Sequence, residues 1–261
     1  MFPIIKIFNR EITTYAIMAL VGVLLTGFYV SKEAKKRKKD DNEIIILLLI
    51  SAIGIFIGSH LLYGIVNIHE LKALNTLTSF DIKKILNILA ITFGGSVFYG
   101  GLIGGLIAAF IYIKKKNIDN EYVDIAASSI PLFHGIARIG CFLAGCCYGI
   151  ESKIGFTYKH ALIESANHVS RFPVQLLEAL LNIILFFVLK HLLKNKKCEG
   201  KIIYIYLISY SVIRFFDEFL RGDSYRGFVG CLSTSQFISI LIFAITIIIL
   251  IVKKYKKNKS K

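Results

Sequence analysis

Apolar residues run through this chain in blocks too long for an ordinary soluble core. "IIILLLISAIGIFIG" (Ile44–Gly58) and "FISILIFAITIIILIV" (Phe237–Val252) carry no charge. With their apolar flanks, each approaches the roughly 20 residues a helix needs to cross about 30 Å of hydrocarbon. Long apolar runs bounded by polar ones predict seven helical spans, at about 13–30, 44–67, 87–113, 122–149, 174–192, 202–221 and 234–252. The fold class is therefore all-α: a polytopic membrane protein, expected to form a single membrane-embedded domain over residues 1–261. Two stretches between spans, about 68–86 and 150–173, are long enough to hold structure of their own. The second, "IESKIGFTYKHALIESANHVSRF", mixes polar and apolar residues and is expected to form a small head segment.

Composition agrees with this pattern. The chain has 261 residues, 55% hydrophobic and 19% charged, against about 25% charged in soluble domains. The first apolar run is followed by lysines with no small-residue cleavage pattern, so no cleavable signal peptide is expected.

The net charge of +15 is distributed in a way that separates two explanations. Residues 31–43, 114–120, 190–201 and 253–261 hold 20 of the 32 basic residues. In a seven-span arrangement all four segments fall on the same side, which the positive-inside rule assigns to the cytoplasm. The N-terminus is then outside and the C-terminus in the cytoplasm, with segments 68–86 and 150–173 extracytoplasmic. No nucleic-acid motif accompanies the lysines, so no nucleic-acid partner is expected. Contact with anionic membrane lipids remains compatible with them.

Ionisable side chains inside a span cost about 2.5–3.5 kcal/mol on insertion scales and mark candidate functional positions. They are few here. His60 ends the second span, His134 and Arg138 lie in the fourth, and Glu178 in the fifth. Arg214, Asp217, Glu218, Arg221 and Asp223 close the sixth in "IRFFDEFLRGD". Arg138 must pair with a carboxylate such as Glu178 or Glu218, or with the phosphate of a ligand. Arginine suits phosphate because its planar fork donates two hydrogen bonds and stays charged when desolvated. Arg214, Glu218 and Arg221, spaced i, i+4, i+7, share one helical face. They are open to two readings, a chain of intrahelical ion pairs or a carboxylate that holds an arginine rigid for an anionic ligand.

Three of the five cysteines crowd into "ARIGCFLAGCCYG" (137–149). On an ideal helix at 100° per residue, His134, Arg138, Cys141 and Gly145 share a face, whereas Cys147 points to the opposite side. The three thiols are thus not expected to converge, and no metal site is expected. In "GGSVFYGGLIGG" (94–105), the glycines suit close helix packing. Gly100 and Gly101 also suit the approach of a lipid headgroup to the backbone, with Tyr99 presenting its phenol to the same cavity.

Five separated segments together resemble the prolipoprotein diacylglyceryl transferase family: "YGGLIGG" (99–105), "ARIGCFLAGCCYG" (137–149), "FPVQLLE" (172–178), "RFFDEFLRGD" (214–223) and "SQFIS" (235–239). Their order and their spacing along the spans carry the resemblance, which covers nearly the whole chain. It implies a bacterial plasma-membrane transferase, multi-pass and without a cofactor, whose active site opens to the extracytoplasmic side. The expected reaction moves diacylglycerol from phosphatidylglycerol to the lipobox cysteine thiol of a prolipoprotein signal peptide. A thioether forms and glycerol phosphate leaves.

By the same resemblance, Arg138 and Arg214 match the family's catalytic arginines, and Glu218, Arg221 and Asp223 its supporting ion-pair segment. Gln175 and Glu178 match polar cavity positions. The chain departs from the family pattern where Tyr99 replaces a histidine, Cys141 and Ala144 replace asparagines, Cys146 a glutamate, Phe172 a histidine and Leu177 a tyrosine. His134 is a candidate replacement base, and Cys141 and Cys146 are possible sites of modified chemistry. Two alternatives stand beside the main reading: the same donor with a different acceptor, and a non-catalytic lipid-binding or transport protein.

Overall fold

The computed structural model describes residues 3–7, 10–76, 81–95, 97–195, 198–223 and 228–259. Helices dominate the described residues, and the strands form three short antiparallel pairs. Among the described residues, five helices are long and apolar enough to cross a membrane, spanning residues 14–36, 41–66, 120–144, 174–194 and 234–256. Helix is the expected answer to hydrocarbon, where every backbone donor and acceptor has to find its partner within the segment. The all-α polytopic class read from the sequence stands. The chain divides into two compact units, one of residues 1–33 and 123–261, the other of residues 34–122.

The smaller unit contains α2 (Asp41–Val66), a 3₁₀ segment (Ile68–Thr76), α3 (Ile82–Phe93) and α4 (Phe98–Lys116). The continuous third span expected over 87–113 is instead broken. Helix α3 stops at Phe93, before Gly94 and Gly95, and Val97 is extended at φ −113°, ψ 122°. Val97 N–H donates to Ser59 O across 3.1 Å, so the interruption is tied to α2. The His60 ring secures the same place, with Nδ1 donating to Phe93 O at 2.8 Å. Helices α2 and α4 then meet along glycines. A Cβ on Gly100 would overlap the Gly58 carbonyl, and one on Gly104 would overlap that of Gly54. This is small-residue packing, which lets helix backbones approach where lipid provides no hydrophobic drive.

The larger unit begins with a hairpin of β1 (Ile4–Ile7) and β2 (Arg10–Thr13) that feeds α1 (Thr14–Lys36). Its central element is α5 (Asn120–Ala144), much of which is buried. Helix α1 packs on α5 where a Cβ on Gly140 would stand 3.3 Å from Tyr15 Cα, and Tyr29 Oη bonds Ser128 Oγ at 3.0 Å. Helix α6 (Val174–Lys194) lies so close that a Cβ on Gly135 would stand 3.1 Å from Ala179 O. Helix α7 (Ile202–Asp217) starts on a fixed anchor: Asp124, buried in α5, accepts from Gly200 N at 2.5 Å and Ile202 N at 3.1 Å. A carboxylate at a helix N-terminus satisfies otherwise orphaned donors and complements the dipole.

Helix α8 (Thr234–Lys259) follows the short pair β5 (Phe228–Val229) and β6 (Leu232–Ser233). Its start is a reciprocal cap, in which Ser233 Oγ accepts from Gln236 N and Gln236 Oε1 from Ser233 N. Between α5 and α6, the expected head segment is present. Strands β3 (Glu151–Thr157) and β4 (Ser170–Arg171) pair over a core of Phe142, Tyr148, Tyr158 and Ala166.

Candidate functional site

One face of α6 carries Gln175, Glu178 and Asn182, all fully buried. Their spacing of three and four residues aligns them along one side of the helix. Three buried polar side chains in an otherwise apolar helix cost free energy unless other polar groups meet them. Gln175 finds them in the turn beyond α5, Asn182 Nδ2 donates to Glu178 O at 2.8 Å within α6, and Glu178 meets two side chains of α5. Arg138 Nε lies 2.8 Å from Glu178 Oε2, and His134 Nε2 lies 3.4 Å from Glu178 Oε1. Of the partners the sequence left open for Arg138, the structure therefore shows Glu178. The Arg138–Glu178 contact is an ion pair rather than an aligned hydrogen bond, because Arg138 Nε and both Glu178 oxygens lack a hydrogen-bond partner among the described residues. The His134 ring also packs on Tyr210, with centroids 4.9 Å apart.

The end of α7 supplies a second arginine. Arg214 Nη2 donates to Glu218 Oε2 at 2.5 Å and to Ser235 Oγ at 2.9 Å, so α7 and the first turn of α8 hold it jointly. Its other terminal nitrogen, Nη1, is buried with no hydrogen-bond partner among the described residues. The expected single face of Arg214, Glu218 and Arg221 holds only for the first two. Helix α7 ends at Asp217, a 3₁₀ turn covers Glu218–Leu220, and Arg221 is extended at φ −81°, ψ 137°. Arg221 consequently turns to Asp223, with Nε to Oδ1 at 2.7 Å and Nη2 to Oδ2 at 2.6 Å. This planar, two-pronged pairing is the strong form of the arginine–carboxylate bond. Arg221 Nη1 is likewise buried and unbonded among the described residues. Asp217, buried beside them, lies within electrostatic reach of Arg138, Arg214 and Arg221.

The end of α5 corrects the ideal-helix extrapolation. The helix stops at Ala144, not near 149, and both Gly145 (φ 72°) and Cys147 (φ 58°) are left-handed. A Cβ at Gly145 would also overlap Ala161, so space and backbone both call for glycine there. The turn carries Cys147 back toward the helix, and the sulfurs of Cys141, Cys146 and Cys147 come within 4.8 Å of one another. The thiols that the helical wheel separates therefore converge. Gln175 Nε2 fixes the turn by donating to Cys146 O at 2.8 Å and to Tyr158 Oη at 3.2 Å. Burial pushes the Tyr158 phenol up to about 12, so it stays protonated and able to donate. Gly222 N donates to Tyr148 O and Ile150 N to Leu220 O, both at 3.0 Å, which stitches the Arg221 loop to the end of α5.

His134, Arg138, Cys141, Cys146, Gln175, Glu178, Arg214, Glu218, Arg221 and Asp223 all belong to the larger unit. Gly100 and Gly101 belong to the smaller, where they pack on α2. Tyr99 lies in the first turn of α4, with its side chain outside the described residues. Sequence reasoning passed over Asn182, although its position four residues after Glu178 signalled it. It also passed over Tyr210, for which an aromatic in an apolar span gives no signal. Arg171 was missed too. It stacks on the Tyr148 ring at 4.3 Å and donates to Ser165 O at 2.7 Å.

The family model for prolipoprotein diacylglyceryl transferase matches residues 3–252. This chain belongs to that family. It is 35% identical to the phosphatidylglycerol–prolipoprotein diacylglyceryl transferase of Clostridium tetani over 256 residues, covering 97% of this chain and 98% of the relative. A second enzyme of that description, from Clostridium perfringens, is 34% identical over 98% of this chain and 96% of its own length. The one from Streptococcus uberis is 32% identical over 94% and 92%. Within the transferase family, the resemblance of the five segments gains a physical content. The arginines at its motif positions are those that the fold buries against carboxylates, and the cysteines at its departing positions are those that the end of α5 gathers.

Proposed function

We propose that this protein transfers the diacylglyceryl group of phosphatidylglycerol to the lipobox cysteine thiol of prolipoproteins, releasing glycerol phosphate. The observation that carries the reading is the set of buried arginines. Each of Arg138, Arg214 and Arg221 is held by one carboxylate, and Arg214 Nη1 and Arg221 Nη1 remain buried donors without a partner among the described residues. A donor buried unpaired costs about 1–3 kcal/mol, more for a charged group. A lipid phosphate accepting from these nitrogens would recover that cost.

In the reaction, the acceptor thiol gives its proton to a base, and the thiolate attacks the diacylglyceryl methylene carbon. The carbon–oxygen bond breaks, and its electron pair leaves on the phosphate oxygen. Charge thus accumulates on the leaving group, where fixed cations stabilise it without reorganising. Arg138 and Arg214 take that role, and Glu178 and Glu218 orient them. His134, turned toward Glu178, is the base assigned in this reading, with Tyr99 as the other candidate. Gln175, Arg221 and Asp223 shape the cavity. The whole chain acts as a single membrane-embedded domain of seven spans in the bacterial plasma membrane. Its N-terminus is outside, its C-terminus is cytoplasmic, and its site opens outward.

The test is rescue of a strain depleted of its own lipoprotein transferase, read by mass spectrometry of a reporter lipoprotein. The wild-type chain should restore thioether-lipidated protein, and Arg138→Ala, expressed at equal level, should not. A well-expressed wild-type chain that restores none would refute the acceptor. Full activity of Arg138→Ala would refute the phosphate clamp.

A further inference from the structure

We propose that Cys141, Cys146 and Cys147 form a three-thiolate binding site for a soft d¹⁰ cation such as Cu(I). The three sulfurs lie within 4.8 Å of one another. An ion held by three thiolates at about 2.3 Å needs sulfur–sulfur separations of about 4 Å, so the site closes with side-chain rotations alone. The set contains sulfur only, a soft donor that favours Cu(I) and zinc over harder cations. Three ligands also suit trigonal Cu(I) better than structural zinc, which takes four.

The local backbone favours this reading over chance proximity. Cys147 adopts φ 58°, a left-handed conformation that costs a non-glycine residue roughly 1–2 kcal/mol. Simple apolar burial of a cysteine requires no such turn, and here the turn brings its sulfur back to Cys141. The turn is held from outside by the Gln175 amide on Cys146 O, so the geometry exists before any ion arrives. The charge of the thiolates is also met. Arg138 Nη1 points at Cys141 Sγ from 3.8 Å, and Arg221 lies within electrostatic reach of Cys147. Each thiol that ligates releases its proton to solvent, so affinity should rise with pH.

The test uses the full-length chain in detergent, its five thiols reduced and counted, titrated with Cd(II) as an air-stable d¹⁰ probe against a chromophoric chelator. One Cd(II) per chain should bind with thiolate-to-cadmium charge-transfer absorption. Cys146→Ser with Cys147→Ser should weaken binding by at least about 100-fold, beyond the loss typical of a mere outer-shell partner. Cys198→Ser with Cys231→Ser should leave it unchanged. Should the first double variant fold poorly, the wild-type chain still decides. Bound Cd(II) should protect Cys141, Cys146 and Cys147 from maleimide while Cys198 and Cys231 still react. Absence of charge-transfer absorption, binding that survives loss of Cys146 and Cys147, or a protection pattern that omits the three would each overturn the proposal.

Discussion

Arg138 and Glu178 offer the sharpest test of how the site is built. Their contact is 2.8 Å, with side-chain exposures of 14% and 0%. At that distance and an effective dielectric of about 20, their attraction is about 6 kcal/mol. Desolvation takes back much of this, and removing one partner of such a pair typically costs about 3–5 kcal/mol, because the other charge is left buried alone. Arg138→Met and Glu178→Gln should therefore each destabilise by that amount, lowering the thermal midpoint by roughly 10 °C in a chain of this size. The double variant leaves neither charge stranded. Its cost should fall short of the sum of the singles by about 3 kcal/mol, the upper range for directly coupled residues. The measurement is a double-mutant cycle of unfolding in detergent micelles, followed by circular dichroism. Additivity within about 0.5 kcal/mol would mean that the two side chains do not share a buried pair, and the account of the site would fail at its centre.

The two units make further predictions. Gly104→Leu should prevent α2 and α4 from meeting and abolish folded protein, since even a Cβ overlaps the Gly54 carbonyl. Gly27→Ala, which meets nothing within 4 Å, should be neutral or stabilise by up to about 1 kcal/mol; recovery of folded protein in detergent reads the first variant and the thermal midpoint the second. Asp124→Ala removes the acceptor for Gly200 N and Ile202 N and should cost about 2–3 kcal/mol, with faster hydrogen exchange in the first turn of α7. The ammonium of Lys39 holds the Asp119 carboxyl below its usual range, so this pair stabilises above about pH 4 and the contribution fades on acidification. With Asp119 half-exposed, the effect should stay under about 1 kcal/mol, and Asp119→Asn should remove that part of the acid sensitivity in a pH titration of stability.

The membrane class and the polar positions of interest are legible in the linear chain. Uncharged blocks such as Phe237–Val252 have no stable place in water, so they read as helices without any knowledge of their neighbours. Intramembrane cost likewise singles out Arg138, Glu178 and Arg214 wherever the helices lie. What a linear pattern cannot carry is which charge meets which. Glu178 and Glu218 were equal partners for Arg138 on paper, and only the packing of α5 on α6 gives it Glu178 and leaves Glu218 to Arg214.

Helix ends are equally tertiary. The third span breaks after Phe93 because Gly94 and Gly95 permit it and α2 captures Val97. Helix α5 stops at Ala144 because Gly145 turns left-handed and Gln175, from another helix, holds the turn. A rule of 100° per residue is valid only while the helix lasts. Past Ala144 that rule scatters Cys141, Cys146 and Cys147 around a cylinder, whereas the folded chain brings their sulfurs together.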